Sequence, residues 1–92
     1  MPLLAVLSDV HGNLEALDAV LTDLEREGAE DLVHLGDAVG YNADPRECLE
    51  ILRRKCITAV LGNHDQAMFL PESAAFFNPD AREALAFSRS RL

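Results

Sequence analysis

The sequence is poor in the residues that support several common classes of function. It has no tryptophan, one tyrosine, two cysteines and three histidines among 92 residues. Basic residues number 8 against 16 acidic ones, for a formal net charge of −8, so the overall field does not attract nucleic acid or an anionic membrane. No apolar run approaches the roughly 18 residues that a membrane-spanning helix needs. We therefore predict neither a nucleic-acid partner nor a membrane partner.

The two cysteines lack the close spacing of a metal site. Cys48 and Cys56 both lie in apolar stretches, so we predict that they are free, buried and structural. Free thiols fit a reducing compartment, and the N-terminus has no basic segment of the kind that opens a signal peptide. The predicted location is the cytoplasm.

Three short apolar runs of strand length are each followed by a polar cluster. The runs cover residues 3–7, 32–35 and 57–61, and the second predicted strand spans residues 31–35. In an open parallel sheet, ligands bind beyond the carboxyl ends of the strands, so the polar side chains of the three clusters should converge. Their donors are oxygen or imidazole and none is a thiol, which suits Mg²⁺, Mn²⁺, Zn²⁺ or Fe. The candidate site residues are Asp9, His11, Asp37, Asn63 and His64.

The segments between and after these runs predict helices. Asn13 should cap a helix that runs to about residue 27 with leucines on one face, and Gly28 should end it. Asp44 should cap a second helix to about residue 55, with Pro45 in its first position. A short helical turn over residues 66–70 and a final helix to about residue 92 follow. The order βαβαβα predicts an α/β domain with a three-stranded, mostly parallel sheet.

The topology carries its own prediction about the surface. If the strands lie in sequential order, right-handed crossovers put the first two helices on one face of the sheet. The opposite face is then bare and apolar. We therefore expect self-association of the isolated chain or marginal stability.

The polar clusters also carry a family resemblance. Asp9-Val10-His11, Gly36-Asp37 and Gly62-Asn63-His64-Asp65 resemble, in order, the first three motifs of the calcineurin-like metallophosphoesterases. The resemblance implies the N-terminal half of an αββα sandwich, with residues 1–92 an incomplete part of that domain. The family's two later histidine motifs are absent, and His34 lies inside the second strand, where we interpret it as structural.

The resemblance implies a role for each motif residue. Two divalent ions are expected, Mn²⁺ first, with Fe, Zn, Ni and Mg as alternatives. Asp9 and His11 would hold one ion, Asp37 would bridge both, and Asn63 would hold the second. His64 would contact the phosphate and protonate the leaving oxygen, while Asp65 would orient His64 or hydrogen-bond the loop. Tyr41 could contact the substrate or simply pack in its loop, and the sequence leaves both open.

The implied activity is hydrolysis of a phosphoester by a metal-bound hydroxide. The segment after Gly36-Asp37 lacks the arginine that protein phosphatases and dinucleoside-tetraphosphate hydrolases of the superfamily carry there. This departure favours the prokaryotic phosphodiesterase-type branch and a small phosphoester substrate. The alternative is a truncated or partner-dependent half-domain that binds at most one metal ion and is not catalytic alone.

Overall fold

A computed structural model describes residues 3–92 of the chain. Three parallel strands form one sheet in the order β1-β2-β3, and they are β1 (Leu3–Leu7), β2 (Ala29–His34) and β3 (Cys56–Ala59). Helices α1 (Leu14–Glu27) and α2 (Pro45–Lys55) connect them. After β3 come α3 (Asn63–Phe69), a 3₁₀-helix (Pro71–Ala74) and α4 (Pro79–Arg91). The predicted α/β class and parallel sheet are confirmed, and the strands lie in sequential order.

The helix ends follow local hydrogen-bonding rules. The Asn13 side chain accepts a hydrogen bond from the backbone N–H of Ala16 at 3.1 Å, as predicted for the cap of α1. Gly28 ends α1 in the left-handed conformation, with φ of 78°. Asn78 caps α4 by accepting from the backbone N–H of Ala81 at 2.8 Å.

Some predicted boundaries were wrong, and one predicted cap lacks its side-chain hydrogen bond. Strand β2 begins directly after Gly28 and ends at His34, while β3 covers residues 56–59 rather than 57–61. Helix α3 begins at Asn63 rather than at residue 66, because the Asp65 carboxylate accepts the N–H of Gly62 and so caps an earlier start. Asp44 precedes α2, but its side chain makes no capping hydrogen bond.

The main core lies between the sheet and the first two helices. Its buried residues are Leu17, Ala38, Val39, Cys48 and Leu52. Burial raises the pKa of the Cys48 thiol to about 11, with nearby carboxylates such as Asp44 adding to the effect. Cys56 is also a free thiol, but it is half-buried rather than buried as predicted. A second cluster, formed by Ala67, Ala74 and Leu85, joins α4 to α3 and the 3₁₀-helix.

The face of the sheet turned away from α1 and α2 is apolar and uncovered. Leu4, Val6 and Ile57 are 58%, 55% and 64% exposed. This is the bare face that sequential strand order predicts. Among residues 3–92, no helix combines the length and apolar character needed to cross a membrane.

Candidate metal centre

The first two polar loops run side by side beyond the ends of β1 and β2. The backbone N–H of Asp9 donates to the Gly36 carbonyl at 3.0 Å, and that of His11 donates to the Asp37 carbonyl at 2.9 Å. Gly12 continues the pattern with a bond to Ala38 at 2.8 Å. The parallel pairing of the strands therefore extends into the loops and brings their side chains to one place.

Three of the predicted metal ligands meet there. Asp9, His11 and Asp37 each offer one donor atom, and these atoms all lie within 4.8 Å of one another. The His11 Nε2 atom lies 3.3 Å from an Asp9 carboxylate oxygen. A hydroxyl hydrogen bond from Ser8 holds the pKa of Asp9 below its usual range. Asp9 therefore stays ionised, as a metal ligand must.

The hydrogen bond at the far side of the His11 ring fixes which nitrogen can bind a metal. Nδ1 lies 2.8 Å from the Val39 carbonyl oxygen, which can only accept, so Nδ1 carries the proton and donates. Nε2 is then left with a lone pair that points at Asp9. A carbonyl partner on the other ring nitrogen is the usual arrangement behind a metal-binding histidine.

The third polar loop reaches this cluster through Asp37. The backbone N–H of His64 donates to the Asp37 carboxylate at 2.8 Å. The side-chain oxygen of Asn63 also faces that carboxylate, acceptor towards acceptor. A half-turn of the amide would let its nitrogen donate to the two Asp37 oxygens at 3.0 and 3.3 Å. A cation between these oxygens would satisfy them without that rotation.

This donor set fits a divalent cation. Two carboxylates, an imidazole nitrogen with a free lone pair and an amide oxygen converge, and none is a thiolate. Oxygen and imidazole donors suit Mg²⁺, Mn²⁺, Zn²⁺ and Fe, and do not select among them. Asp9, His11 and Asp37 lie around one position, whereas Asn63 reaches them only through Asp37.

Left-handed backbone conformations concentrate at this site. Among the described residues other than glycine, positive φ values occur at Asp9 (58°), His11 (48°), Asp37 (62°) and Tyr41 (66°). Such conformations are uncommon for side-chain-bearing residues, and strained backbone clusters at functional sites. All four residues are predicted site residues.

Two glycines let the second and third loops approach closely. A Cβ added at Gly36, where φ is 108°, would lie 2.6 Å from the backbone nitrogen of Gly62. A Cβ added at Gly62 would collide with the Asp37 carboxylate. The contact that places Asp37 against the third loop therefore needs glycine on both sides.

Asp65 ties the same two loops together through backbone groups. One carboxylate oxygen accepts the N–H groups of Asp37 at 2.6 Å and Gly62 at 3.0 Å. The other accepts those of Ala38 at 2.8 Å and Val39 at 3.3 Å. Within residues 3–92, no hydrogen bond joins this carboxylate to the His64 ring. Of the two roles expected for Asp65, the geometry supports bonding of the loop.

The His64 side chain is buried in an aromatic cluster. Its ring centroid lies 4.8 Å from that of Tyr41, 4.7 Å from that of His11 and 4.8 Å from that of Phe77. Nδ1 is buried against Gly40 without a hydrogen-bond partner. Burial, followed by the neighbouring His11 ring, lowers the pKa of His64. The ring is therefore neutral near pH 7.

Other residues near the site divide into expected and unexpected ones. His34 is buried inside β2 and accepts the Gly36 N–H through Nδ1 at 3.2 Å, which fits a structural role. Phe77 and Ser88 are not among the predicted site residues. Phe77 packs on His64, and the Ser88 hydroxyl accepts the Gly40 N–H at 3.0 Å. No motif marks either residue, so only the tertiary fold could reveal them.

Comparison with known proteins identifies relatives that are much longer than this chain. The chain is 42% identical over 87 residues to an uncharacterized protein of Methanocaldococcus jannaschii, covering 95% of this chain and 36% of that protein. It is 37% identical over 62 residues to serine/threonine-protein phosphatase 1 of Salmonella typhimurium, covering 66% of this chain and 29% of the phosphatase.

A solved structure gives the same picture. The crystal structure of a metallophosphoesterase from Sphaerobacter thermophilus superposes with a TM-score of 0.77 at 44% identity, covering 97% of this chain and 36% of that one. This chain thus spans about a third of the length of these relatives. Residues 2–90 match the family model described as calcineurin-like phosphoesterase. The chain belongs to the calcineurin-like phosphoesterase family.

Proposed function

We propose that this chain carries the first metal-ion site of a hydrolase that acts on phosphodiesters. The observation that supports the proposal most strongly is the convergence of Asp9, His11 and Asp37, whose donor atoms lie within 4.8 Å of one another. The hydrogen bond from His11 to the Val39 carbonyl supports it further, because that bond leaves the Nε2 lone pair free for a metal.

The proposed ligand roles are those that the family resemblance implies. Asp9 and His11 would hold the first ion, and Asp37 would be shared with a second ion that Asn63 also contacts. Divalent ions bound there supply Lewis acidity at the phosphoryl oxygens and lower the pKa of a bound water. We propose Mn²⁺ as the resident metal, with Fe, Zn, Ni and Mg as alternatives for the same donors. The amount of metal bound per chain after loading with each ion in turn distinguishes these alternatives.

We propose that His64 and Tyr41 contact the phosphoester. The His64 Nδ1 atom is buried against Gly40, so Nε2 is the ring nitrogen that would reach a phosphate oxygen. Because the pKa of His64 is lowered by burial, the neutral ring would donate a hydrogen bond from Nε2. Protonating the leaving oxygen as an acid would require the phosphate's own charge to raise that pKa. We propose that Asp65 positions the loop that carries Asp37.

Substrate preference is tested by comparing a diester with a monoester. We expect Mn²⁺-dependent turnover of bis-p-nitrophenyl phosphate to exceed that of p-nitrophenyl phosphate. The reason is that the segment after Gly36-Asp37 lacks the phosphate-binding arginine that protein phosphatases of the superfamily carry there. Preference for the monoester would instead favour a phosphatase, the second candidate, which the similarity to serine/threonine-protein phosphatase 1 supports. Asp37→Asn should abolish turnover of either substrate. Retained turnover would contradict the bridging role.

The alternative function is a half-domain that binds one ion and needs a partner for catalysis. It draws support from the ligand count, since the second position has only Asp37 and Asn63, and from the bare face of the sheet. At most one Mn²⁺ ion per chain with no turnover would establish this alternative. Two ions per chain with turnover would reject it.

The cytoplasm remains our proposed location, since Cys48 and Cys56 are free thiols.

We further propose that the isolated chain self-associates through the bare face of its sheet. Leu4, Val6 and Ile57 are exposed apolar side chains on this sheet, and exposed apolar surface marks interaction sites. Sedimentation velocity should detect dimers or larger species, and Val6→Lys should remove them. Phe76→Lys is the matched control, because Phe76 is 99% exposed but lies outside the sheet. A monomer at all concentrations would contradict the proposal.

A further inference from the structure

Ser88 is a fully buried serine on α4 whose hydroxyl serves the site loop. Its exposed fraction is 0%, and its Oγ atom accepts the backbone N–H of Gly40 at 3.0 Å. A buried hydroxyl is costly unless it is hydrogen-bonded, and this bond joins residues 48 positions apart in the sequence. The last helix therefore holds one specific point of the loop that follows β2.

The segment around Gly40 contacts both histidines of the site. The carbonyl of Val39 bonds to Nδ1 of His11, and Gly40 lies against the His64 ring, where an added Cβ would be 2.5 Å from Nδ1. Tyr41 follows, with its ring 5.0 Å from that of His11. A shift of this segment would therefore move the two histidine rings relative to each other.

A second contact of α4 holds the other side of the site. The Arg89 guanidinium donates to the carbonyls of Ala67 at 2.8 Å and Met68 at 3.3 Å, in the last turn of α3. Helix α3 begins at Asn63 and His64, so its placement sets theirs. Adjacent residues of α4 thus anchor both the loop after β2 and the helix after β3.

We propose that Ser88 is a positioning residue, which sets His64 and Tyr41 against His11 by holding Gly40. The inference rests on the proposed function, because His64 and Tyr41 are the residues assigned to the phosphoester. It adds a component that lies outside all three motifs. Without the Ser88 hydroxyl, Asp9, His11 and Asp37 remain available as ligands. The segment from Val39 to Tyr41 loses one hydrogen bond and becomes more mobile.

The test uses two reporters of that segment that need neither metal nor turnover. Tyr41 is the sole tyrosine and the chain has no tryptophan, so tyrosine fluorescence reports this loop alone. Amide hydrogen exchange reports Gly40 itself. In Ser88→Ala we expect the Gly40 N–H to exchange about fivefold to tenfold faster, as suits the loss of one hydrogen bond, and acrylamide to quench Tyr41 more strongly.

Two variants on the same helix serve as controls. Ser90→Ala removes an exposed hydroxyl that bonds only to the Phe87 carbonyl, so it should leave both signals unchanged. Ser88→Cys keeps the side-chain shape with a weaker acceptor, so it should give values between those of Ser88→Ala and the unaltered chain. It also replaces Ser88→Ala if that variant does not fold.

Three outcomes would overturn the proposal. One is an unchanged Gly40 exchange rate in Ser88→Ala, and another is faster exchange spread evenly over the amides of β1 and β2. The third concerns Ser88→Cys. If both variants fold, the contradicting result is that Gly40 exchanges no more slowly in Ser88→Cys than in Ser88→Ala. If only Ser88→Cys folds, the contradicting result is that its Gly40 exchanges no faster than that of the unaltered chain. No metal binding and no turnover by the unaltered chain, together with a local Gly40 effect in Ser88→Ala, would reject the proposed function while leaving the Ser88 contact in place.

Discussion

The two ends of the parallel sheet are built in different ways. At the end where helices lead into strands, Gly28 makes a short turn into β2, and a Cβ there would meet nothing within 4 Å. At the opposite end, the loops carry left-handed conformations at residues with side chains, and Gly36 packs against Gly62. The first end needs only a turn, whereas the second accepts strain to bring ligands together. Strain therefore locates the site without reference to any motif.

Alanine substitutions at matching glycines sharpen this comparison most strongly. Gly36→Ala should lower the free energy of unfolding by about 3 kcal/mol or more, because the new Cβ combines an unfavourable φ with overlap onto the Gly62 backbone. Gly28→Ala has a positive φ and open space, so it should cost about 1 to 2 kcal/mol. Urea unfolding measures both. Equal losses of unfolding free energy in the two variants would mean that the contact between Gly36 and Gly62 does not require glycine.

Asp65 offers a smaller perturbation of the same end. Asp65→Asn keeps one acceptor and loses the other, which leaves two of four backbone N–H groups without a carboxylate oxygen. We expect a loss of about 2 kcal/mol in the free energy of unfolding. The exposed Asp23→Asn should change it by less than about 0.5 kcal/mol. A loss no larger than that of the control would remove Asp65 as the link between the loops.

A pH dependence should accompany the buried histidine at the end of β2. Burial lowers the pKa of His34 from 6.5, so the unfolded chain binds a proton there at a higher pH than the folded chain does. Stability should therefore fall as the pH drops below 6.5, by at most about 1.4 kcal/mol per pH unit for this residue. His34→Asn retains an acceptor for Gly36 and should flatten the curve. An unaltered slope would assign the effect to other groups, among them His64, whose pKa burial also lowers.

Most of the fold could be predicted because each signal was local. Strand-length apolar runs, the Asn13 cap and Gly28 fixed the order and type of the first elements, and sequential strand order led to the bare face. The start of α3 could not be predicted as well. It depends on Asp65, whose carboxylate bonds to residues of two loops that meet only after folding.

The candidate site divides in a similar way. Asp9, His11 and Asp37 converge as predicted, because parallel strands deliver the residues after them to one edge of the sheet. The residues that pack against the site from outside the motifs could not be predicted. Phe77 and Ser88 reach His64 and Gly40 only through the packing of α4, and no spacing in the sequence indicates that contact.

The measurement that tests the central claim most directly is the Mn²⁺ affinity and stoichiometry of the unaltered chain and of Asp37→Asn, by calorimetry and elemental analysis. We predict at least one ion per chain, and a loss of affinity of at least about 100-fold in Asp37→Asn, since losing even an outer-shell partner costs up to that much. Phe76→Lys, which alters a side chain that is 99% exposed, should bind as the unaltered chain does. No binding by the unaltered chain, or equal binding by Asp37→Asn, would contradict the assignment of these three residues as a metal centre.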